Sequence, residues 1–447
     1  MHKPLARITW SLLISISAFI CAQRSDAQVD KPLAGTTITV ALRSLPETDL
    51  ITSKIQDFEK STGIKVQVVT FPEQQLRDKL VQDLSTKAGQ FTVIAIDSLV
   101  IPEFSQADWI LPLDNFAQKE GAKYDLTDIS AGARGLLSAQ GKLYALPIYA
   151  EVTQLMYRKD LFEQAAVKPP TTIDELVQVA KKFTNKAAGK YGIAMRGLRG
   201  FGMNMYIFSG FLRSYGGQFL TEKNEPNFNT PEGTKALEIY SDILKEFGPP
   251  GEANFSWDDV QNAFTTGSVA MILDANNFYT RIEDPKKSGI VGKIGYASVP
   301  SGPHGQFPAC YSLGFAVSAI GAKSNEEQQA AAEFIFWATS YDIQMASVPN
   351  GLVSQTRDKV LNSLEYRARA NPEWLSSTAE SWKIANPDYL PRTVAYRTMG
   401  DILGVGVQEA IAGSKSPKDA LAEASAQVAD YLKRARLTGT PRSYTEP

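Results

Sequence analysis

Polar side chains follow three strand-like segments near the start of the chain. Glu47, Gln74, Asp97 and Ser98 all lie just beyond apolar runs, where the strands are predicted to end. In an open α/β sheet, ligands bind outside the carboxyl ends of parallel strands. A set of carboxylate, amide and hydroxyl groups can both donate and accept hydrogen bonds. These four residues are therefore predicted to form one wall of a site for a polar solute.

The segments that position these residues alternate between two hydrophobic periods. Residues 36–42, 64–71 and 91–96 have the apolar, β-branched composition of short strands, while 49–60 and 73–88 place apolar residues at helical spacing. Strands joined by helical crossovers pair in parallel, with right-handed connections. Strand-like and helical segments continue to alternate further along the chain, so the predicted fold class is α/β.

The sequence lacks the residues that most enzymes use for nucleophilic or metal-assisted catalysis. Its histidines are His2 and His304, and its cysteines are Cys21 and Cys310. No glycine-rich phosphate loop, zinc-ligand pair or nucleophile elbow occurs. We therefore do not expect catalysis by a Ser/His or Cys/His pair, and we predict no cofactor and no metal. A hydrolase with two catalytic carboxylates stays open, because many acidic residues always allow some pair at a workable separation.

The composition is that of an ordinary globular protein. The 447 residues carry 46 Lys and Arg against 48 Asp and Glu, a formal charge of −2, and 43% of them are hydrophobic. This balance excludes a nucleic-acid binder that depends on neutralising phosphates. The length suggests two or three domain-sized units. No flexible linker or internal repeat separates such units.

The first 27 residues have the pattern of a secretory signal peptide. A basic start precedes an apolar run at 8–20, and small residues at Ser25 and Ala27 lie at the −3 and −1 positions of a cleavage site. We predict cleavage after Ala27 and export to the periplasm. An uncleaved anchor and lipidation of Cys21 remain alternatives.

Several motifs occur in an order that resembles one protein family. The main stretches are GKLYALPIYAE at 141–151, MYRKDLF at 156–162 and PTTIDEL at 170–176. TVIAID at 92–97 and VAMILD at 269–274 add to them. Together they resemble the extracellular solute-binding proteins of ABC importers, in the maltose-binding-protein-like family, and specifically its sugar and polyol subgroup.

The resemblance implies a two-lobed periplasmic-binding-protein fold, with a ligand cleft between the lobes and hinge crossovers. The implied first lobe comprises 36–148 and 276–313, and the second comprises 149–275 and 314–440. Such a protein closes on its ligand by hinge motion. It also delivers a carbohydrate or polyol to a permease in the inner membrane without changing it chemically. We expect a monomer with no nucleic-acid partner.

A sugar or polyol requires planar polar side chains for its hydroxyl groups and an aromatic face for its C–H groups. Residues of these types lie at the predicted strand ends, in the glycine-rich loop after Met195 and at the crossovers. The candidate ligand-binding residues are Glu47, Gln74, Asp97, Ser98, Tyr149, Glu151, Arg196, Arg199, Asn204, Asp274, Asn276, Asn277, Phe278 and Tyr311.

One departure from the family pattern leaves the solute open. Members often carry a Trp shortly after the strand-ending Asp, but Asp97 is followed by Ser98, Leu99 and Val100. Either another aromatic residue stacks on the ligand, or the ligand depends less on stacking. A phosphodiester or other non-sugar solute remains an alternative, as does an exported glycoside hydrolase with paired carboxylates. A sensory role next to the transport role is also open.

Overall fold

The computed structural model describes Met1 and residues 31–439. All the helices and strands described below lie within residues 33–439. The predicted signal peptide, apart from Met1, lies outside the described residues. Within residues 31–439, no helix combines the length and apolarity that a membrane crossing requires.

Three parallel strands begin the fold. They are β1 (Thr37–Arg43), β2 (Lys65–Phe71) and β3 (Val93–Asp97), and β1 pairs with both of the others. The helices that connect them are α1 (Pro46–Ser53), α2 (Ile55–Thr62) and α3 (Glu73–Ser85). Apolar residues of β1 and of α3 are buried together, as the hydrophobic periods predicted. The α/β fold class is therefore confirmed for this region.

A long strand then links two parts of the molecule. The elements that lead to it are α4 (Ile101–Gln106), α5 (Asp114–Tyr124), α6 (Ala131–Leu136) and the short hairpin of β4 (Ser138–Ala139) and β5 (Lys142–Leu143). β6 (Leu146–Arg158) follows, and all but its last residue are buried. A strand buried on both faces has a nearly continuous apolar sequence rather than an alternating one.

The next elements form the second part of the molecule. They are α7 (Lys159–Gln164), α8 (Ile173–Phe183), β7 (Tyr191–Ala194), α9 (Asn204–Ser214), α10 (Pro231–Phe247), α11 (Trp257–Thr265), β8 (Val269–Ala275), α12 (Tyr279–Ile282) and β9 (Ile294–Ala297). β7 pairs in parallel with β8, and β8 and β9 both pair with β6.

The last elements return to the first part and then cover the second. They are β10 (Cys310–Val317), α13 (Asn325–Ala338), α14 (Tyr341–Ser347), α15 (Asp358–Leu361), α16 (Leu364–Arg369), α17 (Pro372–Ile384), α18 (Tyr396–Ala412) and α19 (Pro417–Arg434). α13 packs against β1 and β10, whereas α17 packs against β6 and β9. α18 packs against α9, α10 and α19.

The strand order is β2-β1-β3-β10-β6-β8-β7, with β9 on β6. Residues 146–152 of β6 pair with β10, and residues 153–158 pair with β8 and β9. We call β1, β2, β3, β10 and residues 146–152 the first sheet segment. We call residues 153–158 with β7, β8 and β9 the second sheet segment. The two segments share β6, so this strand is one covalent connection between them, and residues 298–309, which link β9 to β10, are another.

The lobe limits inferred from sequence remain a proposal, and two elements favour a change to them. β9 lies in the range given to the first lobe, yet it pairs with the second half of β6. α13 lies in the range given to the second lobe, yet it packs against β1 and β10. Strand pairing therefore favours placing β9 with the second sheet segment, and helix packing favours placing α13 with the first.

Candidate functional site

A cavity of about 550 Å³ lies between the two sheet segments. We call it the front cavity. The first segment contributes the residues that follow β1 and the start of α3. The second contributes the loop after β7, the start of α11 and the residues that follow β8. The cavity therefore lies at the carboxyl ends of β1, β7 and β8, where the order of strands and helices predicted a ligand site.

Half of the residues predicted from sequence line the front cavity. They are Glu47, Tyr149, Glu151, Arg196, Asn277, Phe278 and Tyr311. They come from separate elements of both sheet segments, so the fold brings together side chains far apart in sequence. Their roles as ligand contacts remain a proposal.

Five further predicted residues are buried behind this surface. Asp97 and Asp274 bind the arginines described below. Ser98 accepts a hydrogen bond from the backbone N–H of Ser312. The side chain of Asn204 donates to the carbonyl oxygens of Gly197 and Gly404, and Asn276 accepts from the N–H of Val152. The structure gives these five residues positioning contacts.

Gln74 and Arg199 are not among the residues that line the cavity. Gln74 is exposed on the outer face of α3 and donates to Asp78 one turn later. Its neighbour Glu73 points inward instead, because successive helical residues are about 100° apart around the axis. Arg199 is exposed in the loop before α9.

Four charged side chains of the first segment form a closed ring. Arg77 donates from Nε to Asp97 Oδ2 at 2.6 Å and pairs through a terminal nitrogen with Glu73 Oε1 at 2.8 Å. Arg43 pairs with the other oxygen of Glu73 and donates to the hydroxyl of Tyr311 at 3.3 Å. Tyr311 in turn donates to Asp97. The two positive and two negative charges cancel.

The ring keeps its two carboxylates ionised although they are buried. Burial alone would raise the pKa of Asp97, but the adjacent Arg77 and Arg43 and the Tyr311 hydroxyl lower it below its ordinary value. Burial opposes ionisation of Glu73 in the same way, and Arg43 and Arg77 again lower the pKa. Opposite charges at hydrogen-bond distance thus outweigh the desolvation cost.

The second segment contributes a buried ion pair. The Nε of Arg196 lies 3.0 Å from both carboxylate oxygens of Asp274, and a terminal nitrogen lies 2.5 Å from Oδ1. Asp274 is fully buried. The guanidinium also lies over the ring of Tyr206, 4.4 Å from its centroid. Arg196 therefore presents an oriented and charge-compensated group to the cavity.

The loop that carries Arg196 is held by its surroundings. A methyl group on Gly197 would lie 2.0 Å from the carbonyl oxygen of Glu252, so only glycine fits at this position. α18 holds the loop on its other side. Tyr396 donates its hydroxyl to the carbonyl of Phe201 at 2.5 Å, and Asp401 accepts from the N–H of Phe201 at 3.0 Å.

Glu151 is a buried carboxyl group at the centre of β6. Its Oε2 accepts a hydrogen bond from Asn277 Nδ2 at 2.7 Å. Burial raises its pKa to about 8, and the nearby Asp274 and Glu73 add to this effect against the opposing Arg196 and Arg43. The group is therefore protonated at neutral pH and has a hydroxyl hydrogen to donate.

We expect solute affinity to fall as the pH rises through about 8. Protonated Glu151 can donate a hydrogen bond to the solute, and as the pH rises through about 8 this donor is replaced by a buried carboxylate that can only accept. Titration calorimetry from about pH 6 to about pH 9 will show a loss of up to about tenfold per pH unit above the pKa. Glu151→Gln keeps a neutral hydrogen-bonding group and removes this dependence. An unchanged pH profile in that variant would contradict the assignment.

The predicted set left out several lining residues, and four of them carry charges or a contact between the two segments. Arg43 ends β1, Glu73 and Arg77 lie one turn apart at the start of α3, and Trp257 begins α11. The indole N–H of Trp257 donates to Glu73 Oε2 at 3.2 Å, which joins the two segments. The available signal was the Glu-x-x-x-Arg spacing immediately after β2, because residues four apart share a helix face.

No cluster of three or more His, Cys, Asp or Glu side chains suited to a metal ion occurs within the described part of the chain. Cys310 is buried and its thiol contacts the carbonyl oxygen of Asn386. The chemistry that the front cavity can perform is hydrogen bonding to a polar molecule of limited size. An α/β protein whose two sheet segments enclose such a cavity has the architecture of a solute receptor.

The chain belongs to the bacterial extracellular solute-binding protein family, whose pattern it matches over residues 44–345. It is 29% identical over 402 residues to a mannitol-binding protein of Pseudomonas aeruginosa, covering 85% of this chain and 89% of the relative. The family assignment and the fold class predicted from sequence are thus confirmed.

Two solved structures extend the similarity to the fold. An ABC transporter solute-binding protein of Agrobacterium radiobacter K84, in complex with ribitol, is 28% identical with a TM-score of 0.83, covering 90% of this chain and 100% of that chain. A solute-binding protein of Agrobacterium vitis S4 with bound D-mannitol is 30% identical with a TM-score of 0.80, covering 90% and 99%.

Proposed function

We propose that this protein is the periplasmic substrate-binding component of an ABC importer and that its solute is a neutral polyol. The observation that carries the proposal is the charge balance of the front cavity. Arg43, Arg77 and Arg196 are each paired with a carboxylate. Arg281 and Lys287 at its edge also have acidic partners. A charged solute would find no uncompensated charge among these groups.

A polyol suits the hydrogen-bonding groups that remain. Glu151 in its protonated form can donate a hydrogen bond, and burial also raises the pKa of Glu47. Arg196 and Asn277 contribute N–H donors, and the tyrosine hydroxyls contribute both kinds of group. A hydroxyl-rich molecule satisfies such a mixture, and each buried group left without a partner costs about 1–3 kcal/mol.

The aromatic rings of the cavity favour an open-chain polyol over a cyclic sugar. Arg196 lies over the ring of Tyr206, and the guanidinium of Arg43 lies 6.0 Å from the centroid of the Trp257 ring. Arginines thus cover one face of two of the cavity's rings, Tyr206 and Trp257, and close those faces to stacking by a pyranose. The similarity to ribitol-bound and mannitol-bound proteins supports the same choice.

The alternative solutes and activities are less well supported. A phosphodiester would require free cationic groups, but Arg196 is held by Asp274 and Arg199 is exposed outside the cavity lining. The relatives are binding proteins of transporters, so release of the solute unchanged is the expected outcome. The permease partner and the periplasmic location follow from the proposed role.

Titration calorimetry with a matched panel tests the proposal. The panel contains D-mannitol and ribitol as polyols, glucose and maltose as cyclic sugars, and glycerol 3-phosphate as an anion. We expect at least one polyol to bind about tenfold or more tightly than every cyclic sugar and the anion. Tightest binding of the anion would overturn the neutral-cavity argument. Mass spectrometry that detects a cleaved or modified product would overturn the binding-protein role.

A further inference from the structure

A second cavity, of about 630 Å³, lies on the opposite side of β6 from the front cavity. We call it the rear cavity. Tyr149 and Glu151 line the front cavity, whereas the intervening Ala150 lines the rear one. This alternation follows from the period of two in a strand, where neighbouring side chains point to opposite faces. In the 3-10 turn that follows β8, Asn277 lines the front cavity and Asn276 lines the rear one.

The two walls of the rear cavity belong to different sheet segments. One wall comprises α6 and residues 353–367, which are tied to the first segment by a hydrogen bond from the backbone N–H of Ala150 in β6 to the carbonyl oxygen of Ser354 at 3.2 Å. The other wall is α17, which packs against β6 and β9. Residues of both segments therefore face each other behind β6 as well as in front of it.

α17 carries an aromatic and hydroxyl stripe along this wall. Trp374, Thr378 and Trp382 are spaced four residues apart and all line the rear cavity. Residues at this spacing lie on one helix face. Trp374 is 1% exposed and donates its indole N–H to the carbonyl oxygen of Asn276 at 2.9 Å, so it forms the base of the wall, whereas Trp382 is partly exposed. Trp382 also covers Gly132 of α6, where a Cβ would lie 3.5 Å from the indole ring.

The opposite wall supplies polar groups. Gln355 lines the cavity, is 8% exposed, and its Oε1 has no hydrogen-bond partner. Asn362 and Arg367 lie at the edge. A partly exposed indole ring next to hydroxyl and amide groups matches the C–H face and the hydroxyl groups of a pyranose ring.

We propose that the rear cavity is a second solute site, which takes a cyclic saccharide stacked on Trp382. The front cavity takes a different solute, because two of its rings, Tyr206 and Trp257, already have an arginine over one face. Occupation of the rear cavity is coupled to closure. Since both cavities border the same strand, a rotation that narrows the front cavity widens the rear one, and a molecule held there resists reopening.

Binding to polyol-saturated protein tests the site. Maltose and cellobiose are titrated, with calorimetry and tryptophan fluorescence as readouts, into the full chain at saturating D-mannitol or ribitol. We expect one additional binding event that Trp382→Ala weakens at least about tenfold and Thr378→Val weakens less. Lys383→Ala, an exposed residue on the same helix that does not line the cavity, is the matched control.

Three outcomes would overturn the proposal. The first is absence of heat and of fluorescence change up to millimolar saccharide. The second is saccharide binding that the polyol displaces and that Trp382→Ala does not affect, since this would place the saccharide in the front cavity. The third is the absence of coupling. Saturating saccharide is expected to tighten polyol binding at least about threefold, and saturating polyol to tighten saccharide binding by the same factor. If each affinity is the same with and without the other ligand, the two cavities are not coupled through β6. Circular dichroism and melting curves of each variant separate these results from unfolding.

Discussion

Replacing Arg196 with methionine is expected to abolish detectable polyol binding and to destabilise the protein. The substitution leaves Asp274, which is fully buried, without its ionic partner. Breaking a buried pair by removing one partner costs about 3–5 kcal/mol, because the remaining charge is uncompensated. Affinity falls by about 100-fold or more, since the cavity also loses an oriented donor. Calorimetry and urea unfolding measure the two effects.

Two further variants separate the binding role of Arg196 from its structural role. Arg199→Met removes an exposed arginine three residues away and is expected to change neither measurement. The double variant Arg196→Met with Asp274→Leu replaces the pair by apolar groups and recovers most of the stability, but not the binding. If the double variant regains affinity along with stability, the guanidinium does not contact the solute and the site assignment is wrong.

Glu73→Gln is expected to weaken polyol binding about tenfold to 100-fold and to change which solutes the cavity accepts. Glu73 accepts from Arg43, Arg77 and the indole of Trp257, so its charge balances one arginine and its oxygens connect the two segments. The amide removes one negative charge and an acceptor, and hydrogen bonds to charged groups contribute about 1.5–3 kcal/mol each.

The change in solute preference is the sharper test of the neutral cavity. With Glu73 neutralised, the ring keeps Arg43, Arg77 and Asp97 and so carries a net positive charge. An aldonic acid of the same chain length as the best polyol is expected to bind the variant more tightly than it binds the wild type. Gln74→Ala alters the exposed neighbour and serves as the control. Equal discrimination against the anion in both proteins would show that charge balance does not select the solute.

Local periodicity was sufficient for the first half of the sheet. The apolar runs and helical spacing predicted β1, β2, β3 and α3 within a few residues, because the hydrophobic period of each element is local along the chain. The same periodicity could not show that β6 serves both sheet segments. Its twelve N-terminal residues are all buried, and an apolar run buried on every side carries no information about its partners.

The sequence predicted the kinds of side chain that line the candidate site better than it predicted which residues they are. Polar residues at strand ends gave Glu47, and the resemblance gave Glu151, Arg196 and Asn277, all of which line the front cavity. Whether Gln74 or Glu73 faces the cavity depends on the rotation of α3 about its axis. The sequence pattern defines that rotation only to within one residue. The inward residue is the one that meets Arg43 and Arg77.

The sequence by itself determined the fold class, the family and the kinds of side chain available for a polar solute. These properties follow from hydrophobic periodicity and from motifs, which are local along the chain. Only the tertiary structure decided which charges compensate one another and therefore that the front cavity is neutral. Arg43 is 30 residues from Glu73 in sequence, and Arg196 is 78 residues from Asp274. The energy of each pair depends on a distance and a burial that exist only once the elements have packed.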